Sequence, residues 1–591
     1  MANIMSLKSL RNKTSRNGFD LSSKRNFTAK AGELLPVKTW EVLPGDTFKI
    51  DLKTFTRTQP LNTAAFARMR EYYDFYFVPY DLLWNKANTA LTQMYDNPQH
   101  ALDSSPLKVV KLDGSMPFTD LSSISRYLNS LAPDSVTVTN RNNYFGYNRA
   151  LCSAKLMECL GYGNLYYYAE STDNTFVKRP LHYNLNVSLF NLLAYQKIYA
   201  DYYRDSQWER VSPSCFNVDY MPYSTGSSGM MLSFNYSDFY ENYSLFDLRY
   251  CNWQKDLFHG VVPNQQYGDV ASISLSSKVF INGQSIVNTS PIPSHGTTST
   301  FTSAVGSSSS IPALSPLTVN PSFSILALRQ AEFLQKWKEI TQSGNKDYKE
   351  QVEKHWNVSP GDGFSEMCTY LGGISSSLDI NEVVNNNITG DNTADIAGKG
   401  TGVSNGVINF NSQGRYGVVM CIYHCLPLID YTTDFVSPSV TRVNAADFAI
   451  PEFDRVGMQT VPLSYISNGP LSVLPLAIPN EVGYAPRYID YKTDIDTSIG
   501  AFKTSLKNWV ISYDNQSLAN QFGFDVGSPE LPVPGPVNSS WNYTLFKVNP
   551  NSLNPLFAVE VDSSVDTDQF LCSTFFDVKV VRNLDTDGLP Y

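Results

Sequence analysis

Apolar and polar positions alternate with a period of two along several stretches of this chain, the pattern of strands with one face in a core. In KTWEVLPGDTFKIDLKTFTRT (38–58), Phe48, Ile50 and Leu52 share one face, and Lys49 and Asp51 the other. The Pro44-Gly45-Asp46 step ahead of them carries turn chemistry. In STFFDVKVVRNL (573–584), Phe576, Val578 and Val580 oppose Asp577 and Lys579. Two further runs are apolar or aromatic on both faces, as strands covered on both sides should be. One is MREYYDFYFVPYDLLW (69–84), with Tyr73, Phe75 and Phe77 opposite Tyr72, Tyr76 and Val78; the other is RYGVVMCIYHCLPL (415–428).

Helical spacing is rarer. Phe190, Leu193, Ala194, Ile198 and Tyr202 recur at it within 186–203. Ala327, Ala331, Leu334 and Trp337 do so within 322–344, where Gly344 is a plausible stop. A third, weaker helix is expected within 141–163. Residues 283–320 are rich in Ser, Thr, Pro and Gly, and residues 385–410 in Asn and Gly; both are expected to be surface loops. No unit repeats at solenoid or propeller length. Many strands, long loops and scattered helices predict an all-β sandwich or jelly roll carrying insertions.

Charge divides the chain of 591 residues unevenly. Its 45 basic and 55 acidic residues sum to −10. The first 30 residues hold Lys8, Arg11, Lys13, Arg16, Lys24, Arg25 and Lys30 against Asp20 alone, so they carry +6 and the other 561 carry −16. Ser, Asn and Thr separate these cations. Residues 1–30 therefore read as a basic arm, either a solvated terminus or a phosphate-neutralising segment. No apolar run is long enough to span a membrane, and the first residues lack the apolar core of a secretory signal. Eight Cys are too sparse for a disulfide scaffold. A chain made in a reducing cytoplasm is expected. Aromatics at 13%, with 36 Tyr and 33 Phe, suit large contact areas.

Motifs for chemistry fail one by one. In CIYHC (421–425), a strand would hold Cys421 and Cys425 ~13 Å apart, too far for one zinc or a disulfide, with His424 on the opposite face. Cys152 and Cys159 on a helix would stand ~10 Å apart. GKGTG (398–402) lacks the Ser or Thr and the upstream Gly of a phosphate loop and reads as a flexible tip. There is no GxSxG elbow, and Asp494 and Asp496 have no partners that the sequence identifies. The expectation is no catalytic residue, no metal ligand and no cofactor.

Six stretches resemble, in order, segments of the major capsid proteins of the Microviridae. They are RTQPLNTAAFARMREYYDFYFVPYDLLW (57–84), IYADYYRDSQWE (198–209), RYCNWQKDLFHGVVPNQQYGD (249–269), LRQAEFLQKWKEITQSGNKDYKEQVEKHWNVSP (328–360), YLGGISSSLDINEVV (370–384) and GYAPRYIDYKTDIDTSIGAF (483–502). The chain looks most like a divergent branch of the gokushovirus-like group; His259-Gly-Val-Val-Pro263 and the acidic Asp494 and Asp496 depart from the family pattern.

The resemblance implies one eight-stranded antiparallel jelly roll over 31–591 with long insertions containing helices. Copies would assemble as a homo-oligomer into a T=1 icosahedral shell around circular single-stranded DNA, in the cytoplasm of a bacterial host. By the same resemblance, residues 268–320 would form an outward threefold protrusion able to meet a host-surface receptor, and pilot or scaffolding proteins could assist. The tentative DNA-binding set is the arm's seven cations, Lys8, Arg11, Lys13, Arg16, Lys24, Arg25 and Lys30, facing packaged DNA. Two other readings compete: a secreted β-sandwich protein that binds or cleaves glycans, and a tail or spike fibre. The first calls for a signal peptide and the second for repeats.

Overall fold

The computed structural model describes residues 15–92, 116–130, 135–137, 147–163, 165, 168–170, 175–178, 185–209, 211–221, 223–226, 229–232, 245–269, 271, 278–281, 284–287, 325–384, 396–455, 457–468, 481–514, 546–557 and 568–586. It divides into two compact units, 1–263 with 360–591, and 264–359.

The first unit is built on nine strand stretches: β1 (Asn17–Asp20), β2 (Ser23–Ala29), β3 (Leu35–Val42), β4 (Thr47–Thr58), β5 (Met69–Pro79), β6 (Thr369–Val384), β7 (Ile396–Asn411), β8 (Gly417–Pro427) and β9 (Phe570–Arg582). β1 and β2 pair with β9 in one unbroken register, Asp20 opposite Lys579 and Ser23 opposite Phe576. They are one edge strand, so the nine stretches fill eight positions. The order is β1/β2–β9–β4–β7–β6–β5–β8–β3, antiparallel throughout.

β6 makes the corner. Its first part, Thr369–Leu378, pairs with β5, and its last part, Asp379–Val384, pairs with β7. The sheet thereby curls into two facing halves whose inner side chains meet. Trp40 of β3 packs edge-on to Phe576 of β9 at 5.4 Å, Phe27 of β2 on Tyr423 of β8 at 5.1 Å, and Phe77 of β5 on Phe410 of β7 at 4.6 Å. This is the expected all-β jelly roll. The predicted alternation holds, with Phe48, Ile50, Leu52, Phe576, Val578 and Val580 all inside. At the turn into β4, the Asp46 N–H donates to the Leu43 carbonyl at 3.1 Å, with Pro44 second and Gly45 third at φ 88. That is the residue order a type II turn requires.

The doubly apolar strands are covered as expected. Helix α1 (Tyr147–Cys159) lies along β3, and helix α2 (Phe190–Ile198) packs on β5 and β8. α2 is engulfed: every residue from Leu192 to Ile198 is buried, so it has no wet face. Its polar groups are satisfied inside. Gln196 Nε2 donates to the carbonyls of Leu245 at 2.8 Å and Asp247 at 2.9 Å, and Tyr195 OH donates to the Leu34 carbonyl at 2.9 Å.

Two expectations need correction. The Asn/Gly segment expected to be a loop over 385–410 is strand β7 from Ile396 onward; residues 385–395 lie outside the described residues. Its glycines stand where there is no room for a side chain. A Cβ on Gly398 would lie 2.4 Å from the Thr63 carbonyl oxygen, on Gly400 2.5 Å from Thr58 Cγ2, and on Gly402 2.6 Å from Leu378 Cδ2. Likewise, the part of the basic arm from Asn17 to Ala29 is no free tail, because it completes the sheet against β9.

The second unit holds helices α3 (Ile325–Gln342) and α4 (Tyr348–Trp356) and a short hairpin, Lys278–Ile281 with Gln284–Val287. Trp337 and His355 stack at 5.8 Å, and Thr341 Oγ1 lies 3.0 Å from His355 Nε2. α4 ends at Asn357, which adopts the left-handed conformation at φ 55. Apart from these stretches, the proposed protrusion at 268–320 lies mostly outside the described residues.

Candidate nucleic-acid and assembly surfaces

Among the described residues, the candidate side chains of the chemical motifs lie within the packed strands and segments. Cys421 and Cys425 are free thiols buried along β8, and His424 points to the other face, stacked on Tyr72 at 4.9 Å. Burial lowers the His424 pKa to about 4. Among the described residues no group of three His, Cys, Asp or Glu side chains could hold a metal ion, and no described helix is long and apolar enough to cross a membrane. Asp496 is not half of a carboxylate pair: it binds Arg68 at 2.5 Å, and the Asp494 side chain accepts from the Ile495 N–H at 2.8 Å. GKGTG (398–402) lies in β7 and is not a flexible tip.

One buried cluster does have the parts of an acid–base site. Tyr431 OH donates to Asp256 Oδ2 at 2.7 Å and lies 2.9 Å from His259 Nδ1, which is 3.2 Å from Asp256 Oδ1. Burial would raise the Asp256 pKa, but the bonds from His259 and Tyr431 outweigh it and bring it to about 2. Trp253, Tyr513 and Phe546 close around the imidazole. The cluster pins the stretch from Asp256 to His259 to the strand pair at Tyr431 and Tyr513.

The arm's cations divide. Lys8, Arg11 and Lys13 lie outside the described residues. Arg16 donates to the Gly45 carbonyl at 2.6 Å and to Thr47 Oγ1 at 2.9 Å, at the turn into β4. Arg25 faces inward and donates to the Cys159 carbonyl at 3.0 Å. Lys30 is half-buried, and its backbone N–H donates to Glu33 Oε2 at 2.9 Å. Of the four that are described, Lys24 alone stands on the open outer face of β2 with no carboxylate partner among the described residues.

That face brings together residues the sequence reading missed. Cross-strand register sets Lys24, Phe575, Lys53 and Asn405 in one row. Asn26, Ser573, Phe55 and Val403 form the next, and Thr28, Leu571, Arg57 and Thr401 the third. Phe55 is 39% exposed and Phe575 41%. The Arg57 guanidinium lies 4.9 Å over the Phe55 ring. Exposed aromatics at outward positions of strands that otherwise alternate cleanly were the available signal.

A curled double sheet with very long connections is a build that coat-forming proteins use. Comparison with known proteins agrees. Residues 8–125 and 166–591 match the family described as Capsid protein (F protein), and the chain belongs to that family. It is 22% identical over 615 residues to Capsid protein VP1 of Bdellovibrio phage phiMH2K, spanning 98% of this chain and 95% of that one. It is 25% identical over 313 residues to Capsid protein VP1 of Chlamydia phage 1, spanning 50% and 48%. The chain is a phage capsid protein of the Microviridae kind, a structural component of the virion, as its resemblances implied.

Proposed function

We propose that copies of this chain close into a T=1 icosahedral shell around a circular single-stranded DNA genome, assembled in the bacterial cytoplasm. The observation that carries this reading is the charge division of a capsid-family chain: +6 in the first 30 residues against −16 in the rest. A shell has an inside and an outside. A basic segment neutralises packaged phosphate, while an acidic body discourages nonspecific clumping. Residues 268–320 are the proposed protrusion and the place to seek receptor contact; pilot or scaffolding proteins are further candidates for partners. The secreted glycan-binding reading has no observation in its favour.

The test is electron microscopy of the purified chain, with nuclease-protected DNA measured in the same particles. Closed shells of uniform diameter holding single-stranded DNA are expected, and DNA content should fall when Lys8, Arg11, Lys13 and Arg16 are neutralised. Dispersed monomers would end the shell reading; unchanged DNA content would remove the arm's role. Exchange of the 268–320 segment between related phages, scored by host range, tests the receptor proposal.

A further inference from the structure

We infer that the open face of β2, β9, β4 and β7 is a rigid platform for single-stranded nucleic acid, with bases stacking on Phe55 and Phe575 and phosphates lying against Lys24, Lys53 and Arg57. The inference rests on the DNA-enclosing reading and goes further, because it places binding on folded sheet and not on the terminal arm.

Three observations on this face converge. The first is charge. The three rows that begin at Lys24, Asn26 and Thr28 contain three cations and no acid. None of the three has a carboxylate partner among the described residues. The next two rows differ: they hold the acids Asp51, Asp577 and Asp20 beside Lys49 and Lys579, with Lys579 lying 3.3 Å from Asp577 and also pairing with Asp20. Adjacent to the platform, Asp568 is held by Lys155 at 2.9 Å. A locally unneutralised cationic patch complements a polyanion, whose backbone offers a far denser row of negative charge than a chain of net −10 over 591 residues.

The second is the aromatic pair. Beside the exposed Val403 and Leu571, and among Lys, Asn and Ser, two outward positions with no core to fill carry Phe. They sit one strand and one row apart, with successive outward side chains on a strand about 7 Å from each other and neighbouring strands about 4.8 Å apart. Two rings at that separation offer faces to two bases of one strand, and every base has a face to stack, so no sequence is read. The third is the arginine. Arg57, over the Phe55 ring at 4.9 Å, is already in the posture that lets a guanidinium meet phosphate while backing an aromatic platform. Continuity favours the same occupant: the basic residues 1–16 precede β1, which lies in the edge strand that bears Lys24.

The experiment measures binding of fluorescent oligothymidylate to the full chain by anisotropy over a range of salt. Phe55→Leu with Phe575→Leu keeps apolar area and strand character but removes the rings. Lys24→Gln with Lys53→Gln and Arg57→Gln removes the charges. Lys579→Gln, from the acid-balanced rows, is the control. The ring pair should weaken binding about tenfold or more at fixed salt. The charge triple should also weaken it and should reduce the slope of log affinity against log salt by about 2, since single strands give ~0.7 per neutralised phosphate. The control should change neither. Each variant is checked for native circular dichroism and for shell formation by microscopy; if one set fails to fold, the other still decides.

Unaltered affinity and slope in folded variants overturn the platform. So does loss of shells with oligonucleotide binding intact, which would make this face a contact between copies. DNA-free wild-type shells would instead sink the enclosing reading, a separate result from either.

Discussion

Lys155 is expected to be worth far more than a surface ion pair. Its Nζ lies 2.7 Å from Glu33 Oε2 and 2.9 Å from Asp568 Oδ2, with the Glu33 side chain 1% exposed. Asp568 also accepts from Thr28 Oγ1. The knot fastens α1 both to the turn after β2 and to the residue two before β9. At separations near 3 Å each pair attracts by about 5 kcal/mol at an effective dielectric of ~20. Desolvation of the three groups offsets much of that. Lys155→Met removes the attraction but leaves both carboxylates buried, so the expected loss is about 3–5 kcal/mol.

The pH dependence has a definite sign. Burial alone would raise the Asp568 pKa and lower that of Lys155, but the attraction of Lys155 to Glu33 and Asp568 outweighs it, leaving Asp568 below its ordinary 3.8 and Lys155 above its ordinary 10.5. A depressed carboxyl contributes stability above its unfolded value and loses it as pH falls through the folded one. A raised amine contributes below its unfolded value and loses it as pH rises through the folded one. The gap between wild type and variant should therefore be widest between about pH 4 and 10 and should narrow in acid. Urea midpoints followed by tryptophan fluorescence at neutral and acid pH measure it, and adding Glu33→Gln and Asp568→Asn to the variant should recover most of the loss. A neutral-pH change under about 1 kcal/mol, the same in acid, would refute the reasoning.

Further outcomes follow from other contacts. Trp40→Ala, which empties the space between Phe75 at 6.4 Å and Phe576 at 5.4 Å, should cost about 3–5 kcal/mol by the same urea assay. Gly398→Ala should cost about 1–3 kcal/mol, because the new Cβ meets a backbone oxygen that cannot swing away; a neutral result would mean β7 approaches Thr63 less closely. Asp256→Asn should cost about 2 kcal/mol at neutral pH, from the drop of its pKa from 3.8 to about 2. That contribution is present above pH 3.8 and is lost as pH falls toward 2, so the variant should flatten the acid limb of the stability profile.

Much of the scaffold was legible residue by residue. The alternation of Phe48, Ile50 and Leu52, the two-faced apolar runs around Phe75 and Val419, and the Pro44-Gly45 turn all describe their own local geometry. The strand at β7 was missed because Asn and Gly were weighed as composition. Yet Gly398, Gly400, Gly402, Ser404 and Gly406 keep a strict period of two that Ile408 continues, small residues occupying the inward positions of a tightly curled strand. The arm was read as a charge total, so the separate fates of Arg16, Arg25 and Lys24 could not be seen.

Element type, family and the sign of each segment's charge were in the order of residues, since periodicity and composition are local properties of a backbone with a fixed repeat. Which strands lie side by side was decided only by closure of the sheet. Lys24, Phe575, Lys53 and Asn405 come from four distant places in the chain, and no local rule makes them neighbours. Burying both inner faces at once admits few strand orders, and it is that shared burial which sets the register and with it the open face.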